Sequence, residues 1–484
     1  MYYKDIDESF DDSNCLDAFT VANQFNKILY SSKLLDNQPN NEMNTKDILL
    51  TNTLFNFANS QEANDTLLTI CDCLNESLVN LDQVLPNCGA IKRMIDDLHS
   101  DNTAYVLNIL TTLFKLSEKS QFTLYCLCQE IALFSGLLDN GRINDLLPAL
   151  SNLLFKVVKF DNGQGTFILA KDYNFVGKII NILDSSNYNY PEFKIISLNC
   201  ITCIFEKLSR EQLQIFVEGA KLIEIPLPNI YQYISSDEKN YLISTLKCYR
   251  TILVKWRGSI EDCLQDEIFI KIIDKLKNSH KIDESGMVFE ETINIINVFI
   301  HFYVNTNNDQ DHNELRLKEI ISALITQINN NKQFASYAIK TLGNIANYRS
   351  TAKILIKNDF LQDLYSKYGF LSERLKIDLI KIFLYSTNIL AHQVIEKCEN
   401  IDKIFIDAFD ILQDEDVQFA KSFFPALFHF LSEDNDKKNI FDGPEMIDLI
   451  NHYMQYNECY DYCDRILRSF YSEDEEVSPK DLFI

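Results

Sequence analysis

The stretch Asn358-Asp359-Phe360-Leu361 interrupts a long helical pattern with two small polar residues, and similar interruptions recur along the chain. A glycine, asparagine or aspartate marks each of them, at Gly89, Gly177, Gly219, Asp359, Asn400 and Gly443. The gaps between these marks are 88, 42, 140, 41 and 43 residues. A sharp bend between two short helices requires left-handed backbone angles, which only Gly, Asn and Asp reach at low cost. The sequence therefore predicts a repeat of about 42 residues with one bend in each unit.

The hydrophobic pattern between these marks is helical. Apolar residues recur at intervals of three and four, first clearly at Leu16, Phe19, Ala22, Phe25, Ile28 and Leu29, and no segment alternates as a strand does. The chain contains only 12 Gly and 9 Pro among 484 residues, which disfavours β-rich folds with many tight turns. We therefore predict an all-α fold.

The repeat length and the bend together favour one class of helical repeat. Units of roughly 40 to 47 residues are typical of HEAT and armadillo proteins, and a small residue at a bend between two short helices favours armadillo. We predict a right-handed armadillo-repeat superhelical solenoid of about ten repeats over residues 13–471. An acidic N-terminal tail, 1–12, and an acidic C-terminal tail, 472–484, flank the repeats.

The charge of the chain limits its partners. It carries 70 acidic and 45 basic side chains, a formal net charge of −25. Such a surface repels nucleic-acid phosphates and anionic lipids and attracts basic partners. No stretch approaches the roughly 18 uncharged apolar residues of a membrane-spanning helix, and the acidic segment after Met1 resembles neither a secretory signal nor a transit peptide. We therefore expect an intracellular protein that binds neither nucleic acid nor membrane.

Candidate catalytic and metal-binding residues form no known pattern. Cys200 and Cys203 have the spacing of a metal or redox pair, but neither a second pair nor a His lies beside them in an apolar helical stretch. The glycine-rich segment 162–166 lacks the ending and the preceding strand of a phosphate-binding loop. The seven His residues are scattered singly. We expect reduced thiols packed in the core, a plain loop at 162–166, and no enzyme activity, cofactor or metal.

Four stretches resemble the importin-α family, adaptors that carry basic nuclear-localisation sequences. Residues 21–29 resemble the helix that opens the family's solenoid, and 54–59 the Leu-x-Asn-Ile-Ala segment of its third helices. Residues 338–346 resemble the later repeat in which a basic residue replaces Trp four positions before Asn. Residues 456–476 resemble the family's last helix and its acidic tail. The four stretches occur in the family's order and cover both ends of the chain, whereas 120–320 matches only a generic armadillo pattern.

The resemblance implies a set of binding residues. Asn56 and Asn344 would clamp the backbone of an extended peptide, with Lys340 beside Asn344 in the position of the replaced Trp. Glu473, Asp474, Glu475 and Glu476 would form part of a docking surface for an export receptor. The implied partners are basic cargo segments and an importin-β-superfamily receptor, and the implied location is the cytoplasm and nucleus.

Two departures from the family pattern bear on these roles. The family's ladder of Trp and Asn is largely missing, because the chain's single Trp, Trp256, has no Asn four residues later. The next repeat offers Thr111 and Lys115 in place of the pair. The first 50 residues contain only four basic side chains against nine acidic ones, so no basic importin-β-binding helix is visible.

Two functions follow as hypotheses. The first is an importin-α-like adaptor that binds basic nuclear-localisation peptides on an acidic concave face for import into the nucleus. The alternative is an armadillo scaffold that binds a folded partner in a cytoplasmic or cytoskeletal assembly. An adaptor requires its Asn and acidic residues to line up on one ridge of the fold.

Overall fold

The computed structural model of the chain describes residues 45–58, 63–138, 143–172, 175–184, 191–219, 233–236, 238–255, 266–305, 310–330, 332–412, 416–433, 435–441 and 443–471. Every regular element in these ranges is a helix, and none is a strand. The predicted all-α class is confirmed. The predicted N-terminal tail 1–12, the stretch 21–29, Trp256 and the tail 472–484 lie outside the described residues.

The chain divides into two compact units, Met1–Gly258 and Ser259–Ile484. The first contains α1 (Thr45–Phe57), α2 (Ala63–Glu76), α3 (Leu81–Cys88), α4 (Ala90–Asp97), α5 (Thr103–Lys119), α6 (Gln121–Gln129), α7 (Ile131–Leu138), α8 (Ile143–Phe160), α9 (Gln164–Asp172), α10 (Phe175–Asp184), α11 (Pro191–Lys207), α12 (Arg210–Gly219) and α13 (Lys239–Lys255). The second contains α14 (Asp266–Ile282), α15 (Met287–Asn305), α16 (Gln310–Asn330), α17 (Lys332–Ala346), α18 (Arg349–Lys357), α19 (Phe360–Tyr368), α20 (Glu373–Lys397), α21 (Ile401–Leu412), α22 (Val417–Glu433), α23 (Pro444–Tyr453) and α24 (Asn457–Ile466).

In the first unit, two short helices precede each of the long helices α5, α8 and α11. The long helices α2, α5, α8, α11 and α13 pack side by side in chain order. Their buried faces supply the core, with Leu113, Leu150 and Ile201 fully buried in three successive helices. Because each helix has one broad apolar face, none can bury it alone, and each neighbour supplies the missing cover.

In the second unit, α14 pairs with α15 and α16 pairs with α17, and the long helices α15, α17, α20, α22 and α24 again pack in chain order. Stacked aromatic rings join some of these helices: the ring centres of Phe289 on α15 and Phe334 on α17 lie 4.5 Å apart. Helix α20 contains one non-helical residue, Leu390 (φ −144°, ψ 51°), so its last turns leave the axis of the preceding part.

Polar side chains fix where several helices begin. Asn102 Oδ1 accepts the backbone N–H of Tyr105 at 3.2 Å ahead of α5. Ser209 and Gln212 exchange side-chain and backbone hydrogen bonds of 3.0 and 3.2 Å ahead of α12. These contacts satisfy N–H groups that a first helical turn leaves without partners.

The predicted bends occur at two of the six marks. Gly89 (φ 67°) separates α3 from α4, and Asp359 (φ 57°) separates α18 from α19, both in the left-handed region. The prediction is wrong at Gly443, whose backbone is extended, and at Gly177, which lies inside α10. Gly219 is the last residue of α12. Asn400 lies in the turn before α21 without a positive φ. These helices change direction through longer turns, which need no left-handed residue.

The segment 162–166 is not a plain loop, because α9 begins at Gln164. The buried carboxylate of Asp161 accepts the backbone N–H groups of Gly163 and Thr166 at 2.9 and 2.8 Å, and the Thr166 hydroxyl at 2.6 Å. A carboxylate that fills this turn leaves no free N–H cradle for a phosphate. The glycines therefore serve the entry into a helix.

Within the described residues, no single helix has the length and apolar composition to cross a bilayer. The pair α6–α7, bent by 68° at its junction, meets the criterion only when the two helices are taken together.

Candidate peptide-binding ridges

The long helix α17 exposes a regular polar face. Tyr337, Lys340 and Asn344, and Asn347 directly after the helix, are exposed, while the residues between them are mostly buried, among them Ala338 and Leu342 at 0% exposure. Steps of three and four residues place the exposed side chains on one side of the helix. Lys340 and Asn344 thus share a face, as the sequence predicts.

The neighbouring long helices repeat this pattern. Helix α20 presents Asp378, Lys381, Tyr385 and Asn388 with the same alternation of burial, 41 residues after the α17 set, and α22 presents Lys421 a further 40 residues on. Helix α15, on the other side of α17, presents Asn294 at the corresponding position. Because α15, α17, α20 and α22 pack in order, these positions form one row. We call Lys340, Lys381 and Lys421 the lysine stripe.

The three lysines have different surroundings. Lys421 Nζ pairs with Glu458 Oε1 on α24 at 2.9 Å. Lys381 Nζ lies 5.9 Å from the ring centre of Phe419, within cation–π range. Lys340 is exposed and has no hydrogen bond or ion pair with the described part of the chain. Positive charge on the stripe is therefore only partly compensated.

In the first unit, the long helices α8 and α11 carry amides at half-exposed positions. Asn152 on α8 and Asn199 on α11, 47 residues apart, occupy matching half-exposed positions. On α11 the exposed carboxylates Glu192 and Glu206 lie seven residues before and after Asn199, which places all three on one face. We call Glu192, Asn199 and Glu206 the α11 acidic face.

Basic residues on the long helices of the first unit are largely occupied by contacts within the protein. Lys156 Nζ pairs with Glu118 Oε1 at 2.8 Å and lies 4.4 Å from the ring centre of Phe114. Lys115 Nζ donates to the carbonyl of Cys71 at 3.3 Å, and Lys119 Nζ donates to the carbonyls of Leu74 and Ser77. Carbonyls at a helix C-terminus lack helical partners, so Lys119 of α5 caps the end of α2.

The predicted binding residues belong to different units of the chain. Asn344 and Lys340 lie together on α17, but Asn56 is exposed on α1 in the other unit. Helix α1 packs mainly against α2, α3 and α4. The resemblance had assigned Asn56 to a third helix, whereas α1 precedes the row of long helices that begins at α2. Glu473, Asp474, Glu475 and Glu476 lie outside the described residues.

The sequence pattern does not identify four of the exposed or half-exposed residues on the long helices, namely Asn152, Asn199, Lys381 and Lys421. They lie outside the Leu-x-Asn-Ile-Ala pattern that identified Asn56 and Asn344. Their common signal is a spacing of 40 to 48 residues between long helices combined with an exposed position on each helix. Exposure follows from which helices pack together, so this signal requires the tertiary structure.

The cysteines pack as small apolar groups. Cys200 is almost fully buried, and burial raises the pKa of its thiol well above the ordinary value. Burial also raises the pKa of Cys203, with the nearby Glu206 adding to the effect. Among the described residues, no group of three or more His, Cys, Asp or Glu side chains has the arrangement of a metal site.

Comparison with known proteins supports the fold alone. No protein-family model matches the chain, and no curated protein sequence matches it. A crystal structure of an engineered protein, a target of the Northeast Structural Genomics Consortium, is similar with a TM-score of 0.63 and 11% identity. The similarity covers 87% of this chain and 99% of that chain. At this identity the likeness extends to the fold and carries no function.

Proposed function

We propose that this protein is an armadillo-type adaptor, similar to importin-α, that binds extended basic segments of cargo proteins for transport into the nucleus. The observation that carries the proposal is the α11 acidic face, where an amide lies between two carboxylates on one exposed helix face. The armadillo solenoid of about ten repeats is part of the proposal. It is supported by the long helices, which begin at intervals of 40 to 48 residues within each unit.

The row spacing suits an extended peptide. Packed helices lie about 8 to 10 Å apart, and an extended chain advances about 3.3 Å per residue. Residues at matching positions on successive long helices would therefore contact every third residue of the peptide. An Asn side chain can donate to a peptide carbonyl and accept from a peptide N–H, so it holds the backbone whatever the sequence.

The charges supply selectivity. Neither Glu192 nor Glu206 has an ion-pair partner among the described residues, so both remain open to Lys or Arg side chains of a peptide bound across Asn199. The net charge of −25 attracts a basic segment at longer range. Asn344 would clamp backbone in the second unit, and Asn56 would act outside the long-helix row.

The transport partners follow the resemblance. An importin-β-superfamily receptor would carry the complex, and the tail residues Glu473, Asp474, Glu475 and Glu476 would contribute to export-receptor docking. Cycling of this kind places the protein in both cytoplasm and nucleus. No cofactor, metal or enzyme activity belongs to this proposal.

The test is a titration of a fluorescently labelled, Lys-rich nuclear-localisation peptide, followed by anisotropy at low and physiological salt. We expect saturable binding that Asn199→Ala weakens about tenfold, which corresponds to about 1.4 kcal/mol. The matched control is Asn87→Ala, because Asn87 is an exposed helical Asn on α3, outside the row of long helices. Glu192→Gln with Glu206→Gln should remove most of the salt dependence.

Two results would contradict the adaptor. If the peptide does not bind at low salt, or if Asn199→Ala and Asn87→Ala behave alike, the α11 acidic face is not a peptide site. The scaffold hypothesis, in which the repeats bind a folded partner, would then replace the adaptor.

A further inference from the structure

We propose that the lysine stripe of the second unit binds an extended acidic segment of a partner protein, rich in Asp and Glu. This ligand is opposite in charge to the cargo peptide of the proposed function. It is held by lysines of the second unit, whereas the α11 acidic face that carries the proposed function lies in the first unit, and Asn344 is the residue that the two proposals share. The inference therefore goes beyond the proposed function, and the two can be tested independently.

The first support is register. Lys340, Lys381 and Lys421 occupy the same position on three consecutive packed helices, at spacings of 41 and 40 residues. With helices about 8 to 10 Å apart, their ammonium groups recur at intervals that match every third residue of an extended chain. Lysines scattered for solubility have no reason to share one helical position.

The second support is the charge of the surrounding face. The described positions beside the stripe on α17 and α20 are Tyr337, Asn344, Asn347, Asp378, Tyr385 and Asn388, and those on α22 are Gln418 and Pro425. Together with Glu458 on α24, which pairs with Lys421, they contain two carboxylates against three lysines. The chain as a whole has 70 acidic and 45 basic residues and is net negative, whereas this face is net positive.

The third support lies within the fold. Glu458 on α24 pairs with Lys421 at 2.9 Å, so a carboxylate from outside α22 already occupies the last position of the stripe. Lys340 and Lys381 have no such carboxylate partner in the described part of the chain. A partner's Asp or Glu side chains would take the corresponding places beside these two lysines.

The fourth support is the means to hold a peptide backbone. Asn344 lies one turn after Lys340, and Asn388 lies two turns after Lys381 on the same faces. Their amides can donate to and accept from an extended chain. A nucleic acid would also carry negative charge, but its dense phosphates would meet the −25 net charge of the whole protein, which favours a short acidic peptide.

The experiment uses the full chain and a fluorescently labelled twelve-residue peptide in which Glu alternates with Ser. Anisotropy titrations compare wild type, Lys340→Glu with Lys381→Glu, and a control with Lys353→Glu and Lys403→Glu. All four lysines are at least partly exposed, but Lys353 on α18 and Lys403 on α21 lie off the stripe. Both double variants change the net charge by the same amount, so position alone distinguishes them.

We expect the stripe variant to lose at least about tenfold in affinity for the acidic peptide and the control variant less than about threefold. The stripe variant loses lysines that contact the peptide, whereas the control changes only the net charge, whose effect at a distance is screened by salt. Replacing Lys340 and Lys381 by Arg should retain binding. Circular dichroism of each variant checks that its helices are intact.

Three outcomes would overturn the proposal: no binding of the acidic peptide at low salt, equal losses in both double variants, or tighter binding of an oligothymidylate that the stripe variant abolishes. The basic peptide of the proposed function is titrated in parallel. Its binding should survive the stripe substitutions, so failure of one proposal can be told from failure of the other.

Discussion

The hydroxyl of Tyr368 on α19 donates a hydrogen bond of 2.7 Å to Asp407 Oδ2 on α21, 39 residues further along the chain. The ring is buried at 6% exposure, and the carboxylate is half-buried. Burial, with Asp407 as acceptor and neighbouring charge, raises the pKa of Tyr368 far above its ordinary value. This contact joins two helices that are separated in sequence by the whole of α20.

Tyr368→Phe should lower the free energy of unfolding of the second unit by about 1 to 2 kcal/mol at pH 7, because it removes a hydrogen bond to a charged acceptor. Urea denaturation followed by circular dichroism measures the change. A shift below about 0.3 kcal/mol would show that water replaces the contact without cost.

The pH dependence of this contact has a definite sign. The pKa of Tyr368 is raised in the folded protein, so its contribution is complete below pH 10, the ordinary value, and is lost as the pH rises above it. The difference between wild type and Tyr368→Phe should therefore narrow above pH 10. A difference that grows with pH would contradict the assignment.

The bend at Asp359 can be tested by comparing Gly with Ala. Both substitutions remove the Asp359–Lys397 contact of 3.3 Å, but only Gly adopts φ 57° without strain. Asp359→Gly should be more stable than Asp359→Ala by about 1 kcal/mol.

The matched control is Asp363, an exposed residue inside α19. There Gly should be less stable than Ala by about 1 kcal/mol, because Gly disfavours a helix interior. The same order at both positions in urea denaturation would mean that backbone geometry does not determine the bend.

Buried thiols should resist modification. Burial raises the pKa of Cys248 to about 12 and holds that of Cys200 well above its usual range, and only the thiolate reacts rapidly. At pH 8, iodoacetamide labelling with peptide mass spectrometry should leave both unmodified in the native protein and label both in urea. Rapid native labelling of Cys200 would show that the α11 core is open.

The low basic content of the first 50 residues predicts that the purified protein does not bind importin-β itself at micromolar concentration. Only four basic residues occur among the first 50, against nine acidic ones, so the charge that would attract an acidic receptor surface is absent. Pull-down with purified importin-β measures this, with an importin-α that carries its basic helix as positive control. Tight, salt-sensitive binding would show that these residues contain a docking segment of another kind.

The sequence by itself determined the helical class, because periodicity of three and four and a low Gly and Pro content are local properties. It also located the bends at Gly89 and Asp359, since a left-handed residue is a requirement of a single position. It placed Lys340 and Asn344 on one face, because four residues make about one helical turn.

Only the tertiary structure decided which faces line up. The stripe of Lys340, Lys381 and Lys421 depends on α17, α20 and α22 packing in order. The α11 acidic face depends on Glu192 and Glu206 being exposed and on Asn199 being half-exposed. Neither fact is local. The packing of neighbouring helices decides which residues are exposed and which positions on successive helices align. Helix lengths and turns differ between repeats, so this alignment is not visible in the sequence.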